Sequence, residues 1–488
     1  MAKIGIHSYG AYIPTMRMSR RAMFEGIGWV QGSLKAYAKG QRSYAQWDED
    51  SVTMSVEACR FAMKHDDTPV ERLVLASTTA PFLDRQNAGI VATALHLPAV
   101  THCYDVAGSQ RAALSPLSEL TRSKSGSLML AAAERSQHKP GNVMEFLSGH
   151  GAASLIIKQG AGLAELVDAV TLYDDFVDHY RTADSGTDYG FEDRWIREAG
   201  LGSVAPKAIT QILEANSLMP EDIDHFILPM PNPSFAKGLA KSTGIAAEAV
   251  ADPLFENLGH CGTAHPLVML ANVLDCAVPD QWILLTAFGQ GFETVLIRTT
   301  QALADHDPAN TVAEQLAGGH AEDNYVKFLV ANDRLDVDWG MRAERDNRTA
   351  QTVAYDKRHD IYGFVGGLCE SCGTPQFPKS RRCVNPDCGA LDTQIDYRFA
   401  EIAGEVKSFT EDHMTFTRQP PLLYGNISCA GGGNIFMEMT GFMPGEVEIG
   451  TPTRMYFRIK DIDKMRGFHR YFWKAGPVVT ADEGENHG

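Results

Sequence analysis

Two stretches of the chain run through the same order of patterns, and this internal repeat limits the possible folds more than any other feature. The first copy reads ERLVLASTTAPF (71–82), DVAGSQRAAL (105–114), SGSLMLAAAE (125–134) and GAASLIIK (151–158). The second reads DHFILPMPNPSF (224–235), NLGHCGTAHPL (257–267), QWILLTAFGQG (281–291) and ETVLIRT (293–299). Each copy passes from a buried apolar strand to a small-residue turn that opens a helix, then through two more apolar strands. That order predicts two similar α/β halves, over 1–160 and 161–300. Turns from both halves are expected to face one shared site. They present backbone N–H groups and the positive end of a helix dipole, an environment that suits thioesters, enolates and phosphate-bearing carriers.

The rest of the 488 residues divides by pattern. A polar excursion, YDDFVDHYRTADSGTDYGFEDRWIREAGLG (173–202), separates the halves and precedes an amphipathic helix. From Gln301 the pattern weakens into polar, acidic sequence, read as a linker or docking segment over 301–357. Residues 358–395 carry a cysteine cluster. Residues 396–488 hold short alternating runs bounded by Gly, Pro and Asp turns, the signature of a small β-barrel.

Lys and Arg total 44 against 61 Asp and Glu, a formal net charge of −17, and no long basic run offsets it. Nucleic acid is therefore not the expected partner, although a local basic rim for a phosphorylated cofactor is compatible with the balance. No window approaches the ~18 uninterrupted apolar residues of a membrane span, and MAKIGIHSYGAYIP is not a secretory signal. A cytoplasmic protein without a membrane partner is expected. Scattered cysteines (Cys59, Cys103, Cys261, Cys276, Cys429) agree with a reducing compartment.

Cys369, Cys372, Cys383 and Cys388 are spaced C-x2-C-x10-C-x4-C, with Gly373 and Gly389 following the pairs. Thiolates on two such knuckle turns complete a tetrahedral S4 shell. That shell favours structural Zn²⁺ over iron and leaves no open position for catalysis.

GIHSYGAYIP (5–14), KGQRSYAQWDEDSVTMSVEA (39–58), the turn at Asp105 and the AFGQG loop (287–291) resemble the thiolase superfamily, closest to its hydroxymethylglutaryl-CoA synthase branch. YGFVGGLCESCGTPQFP, GEVKSFTEDH and YFWKAGP resemble the zinc-ribbon plus OB-fold proteins that accompany acyl-CoA thiolases. The resemblance implies a layered α-β-α-β-α fold, a zinc ribbon over 358–395 and an OB-fold over 396–488. It also implies an acyl-CoA enzyme that carries its CoA-binding domain in cis. In condensing members a cysteine nucleophile sits at the first-half turn, and here that position falls on Gln110, with Cys103 several residues earlier. Thr78 stands at the family's general-acid glutamate and Pro229 at its second-half histidine. His260 falls where thiolases carry the histidine of a G-H-P motif, and is expected to hydrogen-bond a thioester oxygen or take a carbon-bound proton.

Other residues near these turns have two readings each. Cys261 is either a stand-in nucleophile or a small buried residue, and Ser109 a site hydroxyl or a helix cap. Asn232 orients a water or thioester, or shapes a turn. His265 is expected to pack behind the site. Gln110 either donates amide N–H bonds to an enolate or fills vacated space. Phe468, Tyr471, Phe472 and Trp473 with Arg466, Arg470 and Lys474 form an aromatic and basic cluster that suits a nucleotide-like cofactor arm, or else the core of the barrel.

The expected activity is carbon–carbon bond chemistry on acyl-CoA through an enolate, without an acyl-cysteine. The rivals are acyltransfer using Cys261 or a partner's cysteine, and a non-catalytic acyl-CoA-binding subunit of a thiolase complex. A homodimer or hetero-oligomer with another thiolase-like subunit is expected.

Overall fold

The computed structural model describes residues 3–308 and 310–478. Residues 1–2, 309 and 479–488, parts of the expected segments 1–160, 301–357 and 396–488, lie outside the described residues. The chain forms two compact units. Among the described residues, the first comprises 3–46, 50–89 and 98–335, and the second 47–49, 90–97 and 336–478.

The first unit is built on a nine-stranded sheet of β1 (Ile4–Tyr12), β2 (Arg72–Ala76), β3 (His102–Val106), β4 (Leu128–Arg135), β5 (His150–Gln159), β6 (Ala164–Tyr173), β7 (His225–Ile227), β8 (Trp282–Phe288) and β9 (Gly291–Thr299). Its order is β7-β8-β9-β6-β1-β5-β4-β2-β3. The sequence repeat is plain in the pairing. β2 runs parallel to β4 and β4 antiparallel to β5, just as β7 runs parallel to β8 and β8 antiparallel to β9. The halves join where β1 meets β6, through Gly5↔Glu165 and Ile6↔Ala164.

The packed helices are α1 (Ser51–Met63), α2 (Leu114–Ser123), α3 (Gly202–Ala215), α4 (Ser234–Thr243) and α5 (His265–Leu274). Successive strand side chains point to opposite faces, so strands that are apolar throughout need cover on both. Ile283, Leu285 and Ala287 of β8 share a buried cluster with Leu128, Leu130 and Ala132 of β4, Leu117 of α2 and Leu267 and Leu270 of α5. The alternate residues Leu284 and Phe288 pack instead with Ile209 and Ile212 of α3 and Phe235 and Leu239 of α4. α1 covers β1, β4 and β5. The unit thus layers helix, half-sheet, paired helices, half-sheet, helix.

The expected linker over 301–357 is not a free linker in its first part. Through Leu335 it belongs to the first unit, and His320–Glu322 pairs in parallel with the strand Met16–Ser19. The Gln315 amide donates to the Ala11 carbonyl at 2.9 Å and accepts from the Ile13 N–H at 2.8 Å. Tyr325 donates to the Glu145 carboxylate at 3.0 Å. Polar side chains of the stretch read as a linker or docking segment are spent on this unit's own polar groups.

In the second unit, β10 (Val365–Cys369), β11 (Pro375–Gln376) and β12 (Gln394–Arg398) form a small sheet in the order β11-β10-β12. A five-stranded sheet follows, of β13 (Gly404–Asp412), β14 (Leu422–Cys429), β15 (Asn434–Glu438), β16 (Pro452–Asp463) and β17 (Phe468–Pro477), in the order β15-β14-β13-β16-β17. A parallel bridge, Met439↔Ala475, brings the end of β15 to β17 and curls the sheet shut. Val406, Ile427, Phe457, Ile459, Tyr471 and Trp473 fill its interior.

Candidate active site

The first-half turn after β3 ends in Gln110, whose Nε2 lies 3.1 Å from Nε2 of His179. His179 comes from the excursion between the halves, on a hairpin of His179–Tyr180 with Tyr189–Gly190. Its Nδ1 lies 2.8 Å from Asp178 Oδ2. A carboxylate only accepts, so Nδ1 carries the proton and Nε2 is left as acceptor for the Gln110 amide. Burial pulls the His179 pKa down, but the hydrogen bond and charge of Asp178, with Asp188 and Glu134 behind it, outweigh burial and raise it.

Acids and bases surround this dyad. Glu134, at the end of β4, is buried, and its oxygens accept from the Thr78 hydroxyl and the Thr78 N–H, each at 3.1 Å. Burial raises its pKa. Asp188 pairs with Arg181 at 2.8 Å, and Arg181 also donates to the Thr78 carbonyl. His138 Nε2 lies 2.8 Å from the Ser148 hydroxyl, and burial pulls its pKa down to about 3.

His260 occupies the second-half turn, where its N–H donates to the Leu147 carbonyl at 2.8 Å. Its Nδ1 accepts from the Gly262 N–H at 3.3 Å, and the ring engages the Pro229 carbonyl. Burial, then the fields of His265 and His179, hold it neutral well below the ordinary histidine value. His179 hydrogen-bonds Gln110, and its field is one of the influences on His260. His265 packs behind: Nε2 lies 3.0 Å from the Pro253 carbonyl and Nδ1 accepts from the Cys261 N–H at 3.3 Å.

The other expected site residues are engaged elsewhere. Cys261 is fully buried in the central cluster, its sulfur 3.2 Å from where a Cβ on Gly151 would stand, and burial raises its pKa. A thiol so shielded stays protonated, which opposes the stand-in nucleophile. The Cys103 thiol lies 3.6 Å from the Thr101 carbonyl at the start of β3. The Ser109 hydroxyl donates to the Gly289 carbonyl at 2.9 Å, clamping the first-half turn to the AFGQG loop. Arg111 reinforces the clamp through Gly289 at 2.8 Å and Glu293 at 3.0 Å. Asn232 Oδ1 accepts from the N–H and hydroxyl of Ser234, a turn role at the start of α4.

The aromatic and basic cluster, read as a cofactor-arm site or as barrel core, is divided: Tyr471, Trp473 and Lys474 are buried, Phe468, Arg470 and Phe472 half-buried, and Arg466 exposed. Trp473 is fully buried and donates to the Tyr362 carbonyl at 2.7 Å, and Phe472 packs edge-on against Phe364, 5.5 Å between centroids. Lys474 is buried between Asp48 at 3.0 Å and Glu438 at 3.2 Å. Arg470 holds Asp461 at 2.9 Å, and Arg466 donates to the Thr349 carbonyl at 2.9 Å. Period two places Tyr471 and Trp473 on the buried face of the five-stranded sheet, and the buried charges are neutralised internally.

The sulfur atoms of Cys369, Cys372, Cys383 and Cys388 all lie within 4.8 Å of one another. Cys369 to Cys388 is 3.9 Å and Cys372 to Cys383 is 3.6 Å. Tetrahedral S4 coordination at about 2.3 Å per bond requires edges of about 3.8 Å, so the donor set fits such an ion. Gly373 and Gly389 take φ of +71° and +58°, the left-handed geometry that lets each knuckle turn back. The Thr393 hydroxyl, 3.2 Å from Cys369, and the Thr374 hydroxyl, 3.2 Å from Cys372, give the thiolates neighbours that orient them.

The layering and paired turns define a thiolase-like α/β fold, and comparison with known proteins agrees. A structure of 3-oxoacyl-(acyl carrier protein) synthase III from Pseudomonas aeruginosa PAO1 superposes with a TM-score of 0.55 at 18% identity, over 61% of this chain and 98% of that one. MvaS in complex with 3-hydroxy-3-methylglutaryl coenzyme A superposes with a TM-score of 0.59 at 15% identity, over 69% and 93%. Residues 213–298 match the C-terminal domain of 3-oxoacyl-[acyl-carrier-protein] synthase III. The chain is also similar in sequence to hydroxymethylglutaryl-CoA synthases. It is 28% identical to that of Aeropyrum pernix over 70% of this chain and 93% of the relative, and 26% identical to that of Methanobrevibacter smithii over 59% and 86%.

Sequence reading missed His179, Asp178, Glu134, Asp188 and His138. The signal for the first pair was the adjacent Asp-His in YDDFVDHY. It lies in a polar excursion outside both repeat copies, where no pattern tied it to the turns.

Proposed function

We propose that the chain is an acyl-CoA enzyme of the thiolase superfamily that makes or breaks a carbon–carbon bond next to a thioester through an enolate, without an acyl-cysteine. The observation that carries this reading is the Gln110–His179–Asp178 chain at the nucleophile position, where an amide and a supported imidazole take the place of a thiol. An amide forms no acyl-enzyme, but its N–H stabilises negative charge on oxygen. The imidazole, tuned by Asp178, moves protons.

In the retro-aldol direction His179 Nε2 takes the proton of a β-hydroxyl. The carbon–carbon bond then breaks, its electron pair forming the thioester enolate, and the imidazolium returns the proton to the enolate carbon. The released oxygen becomes the carbonyl of the second product. Decarboxylation uses the same enolate, with CO₂ as the departing group. His260, neutral and committed to Gly262 and Pro229, moves no proton in this scheme.

Acyltransfer through Cys261 is opposed by that thiol's burial. A non-catalytic binding subunit would leave the His179–Asp178 dyad without use. The tetrahedral sulfur set supports structural Zn²⁺ held by Cys369, Cys372, Cys383 and Cys388, closing the ribbon of β10–β12 without entering the chemistry. The strand order and parallel closure of β13–β17 support an OB-type barrel. A homodimer or hetero-oligomer in the cytoplasm completes the proposal, and no helix among the described residues is long and apolar enough to cross a membrane.

The test is turnover of a panel of β-hydroxyacyl, β-ketoacyl and malonyl-type CoA thioesters. On a responsive substrate, Gln110→Ala and His179→Ala are expected to lose about 10²-fold or more. Full turnover by either variant, or a radiolabelled acyl group trapped on a cysteine peptide, would sink the reading.

A further inference from the structure

Glu134 takes no part in the His179 chemistry, yet three elements of the site converge on it. It closes β4, and its oxygens are held by the Thr78 hydroxyl and N–H at 3.1 Å each. A Cβ on Gly262, in the turn of His260, would stand 2.6 Å from its Cγ. Arg181, two residues beyond His179, donates to the Thr78 carbonyl and so ties Thr78 to the hairpin that carries the dyad. Glu134 itself is 1% exposed, whereas Thr78 is half-buried. A proton leaving this carboxyl for a bound molecule thus has the Thr78 hydroxyl as a hydrogen-bonded exit. Among the described residues, the charged and titratable groups that face the carboxyl are Arg181 and His179 from the hairpin and Cys261 from the second-half turn. Burial raises the carboxyl pKa and outweighs Thr79, the Thr78 N–H and Arg181, which favour the ionised form.

We infer that Glu134 and Thr78 form a proton-donating pair for the oxygen of a thioester as it becomes an enolate, with Thr78 touching the substrate and Glu134 acting through it. When ionised, the carboxyl accepts from the Thr78 hydroxyl and keeps that hydrogen turned inward. When protonated at Oε1 it donates to the same hydroxyl, while Oε2 still accepts from the Thr78 N–H, and the threonine hydrogen is released towards a substrate oxygen. As His179 removes the α-proton, the C–H electron pair moves into the thioester and the Thr78 hydrogen passes to the forming enol oxygen. Glu134 replaces that hydrogen through the existing hydrogen bond and becomes a carboxylate. Ketonisation returns a proton from the imidazolium to carbon and the enol proton to Glu134, so both groups end as they began. The inference rests on the enolate reading of the site and adds the group that protonates its oxygen.

The experiment takes acetyl-CoA as the probe and follows exchange of its methyl protons in D₂O by NMR with the full chain. The unsubstituted chain is expected to catalyse exchange that falls at alkaline pH as Glu134 ionises. Glu134→Gln and Thr78→Val should each slow it about tenfold or more, Glu134→Gln should also lose the alkaline fall, and Thr78→Ser should keep the rate to within about threefold. Infrared difference spectra at neutral pH, unsubstituted chain minus Glu134→Gln, supply a readout without turnover: the band of an un-ionised carboxylic acid should be missing from the variant. Slower exchange that keeps the alkaline fall in Glu134→Gln, failure of serine to serve at 78, or no such acid band would reduce the pair to a packing role and overturn the inference. Full exchange by Thr78→Val and Glu134→Gln, with exchange lost in Gln110→Ala and His179→Ala, would overturn the pair and leave the enolate reading standing. Full exchange by all four variants, or none by the unsubstituted chain, would sink both.

Discussion

Asp178 hydrogen-bonds His179 and raises its basicity, so in the proposed mechanism the dyad and not either residue alone governs proton transfer at Gln110. Replacing Asp178 with Asn removes the charge that raises the histidine pKa. The acidic limb of a kcat/KM against pH profile should then move to lower pH while the plateau falls by about 10- to 100-fold. An unchanged limb would show that His179 is not the group being titrated. At this scale the sequence was informative where a residue lay on a repeat turn. Gln110, His260 and the displaced thiols were all legible there. Glu134 was not, because a glutamate closing an apolar strand gives no sign that Thr78, 56 positions earlier, supplies two hydrogen bonds to it.

Elements are pinned by a few residues that tolerate no addition. Gly291 opens β9 at φ +117°, and a Cβ there would stand 2.3 Å from the Leu172 carbonyl of β6. Gly291→Ala should destabilise the first unit by about 2 kcal/mol or more in urea unfolding, since it combines a disallowed backbone geometry with a main-chain clash. A midpoint equal to that of the unsubstituted chain would refute the account. In the cysteine ribbon, binding of this kind contributes on the order of 10 kcal/mol to folding. Zinc assay should find one ion per chain, and Cys383→Ser should lose it together with protease resistance around 362–398. Full metal content in that variant would exclude the S4 shell. The Cys spacing made this element readable because local turns alone set the ligand positions. The 466–474 cluster stayed open between two readings for the opposite reason: an aromatic and basic run looks the same on the inside and outside of a sheet until strand register decides.

Across the whole molecule, buried histidines tie stability to pH. His265 is held down to about 4 by burial, against an unfolded value near 6.5. The unfolded chain binds more protons in that window, so stability is full above about pH 6.5 and falls as pH drops towards 4, by up to about 1.4 kcal/mol per pH unit for this group. Buried carboxyls with raised values, such as Glu134 and Asp188, act in the opposite direction, so one substitution isolates the effect. His265→Gln should flatten the decline of urea midpoints between pH 6.5 and 4 relative to the unsubstituted chain, and parallel curves would count against it. By itself the sequence determined the duplicated α/β plan and the cysteine spacing, because periodicity and local turns act over a few residues. Only the tertiary structure decided which groups meet at the site. The Asp178–His179 dyad reaches Gln110, Glu134 reaches Thr78, and the polar run to Leu335 docks on the first unit, through contacts whose energies depend on distance in space and leave no trace in local pattern.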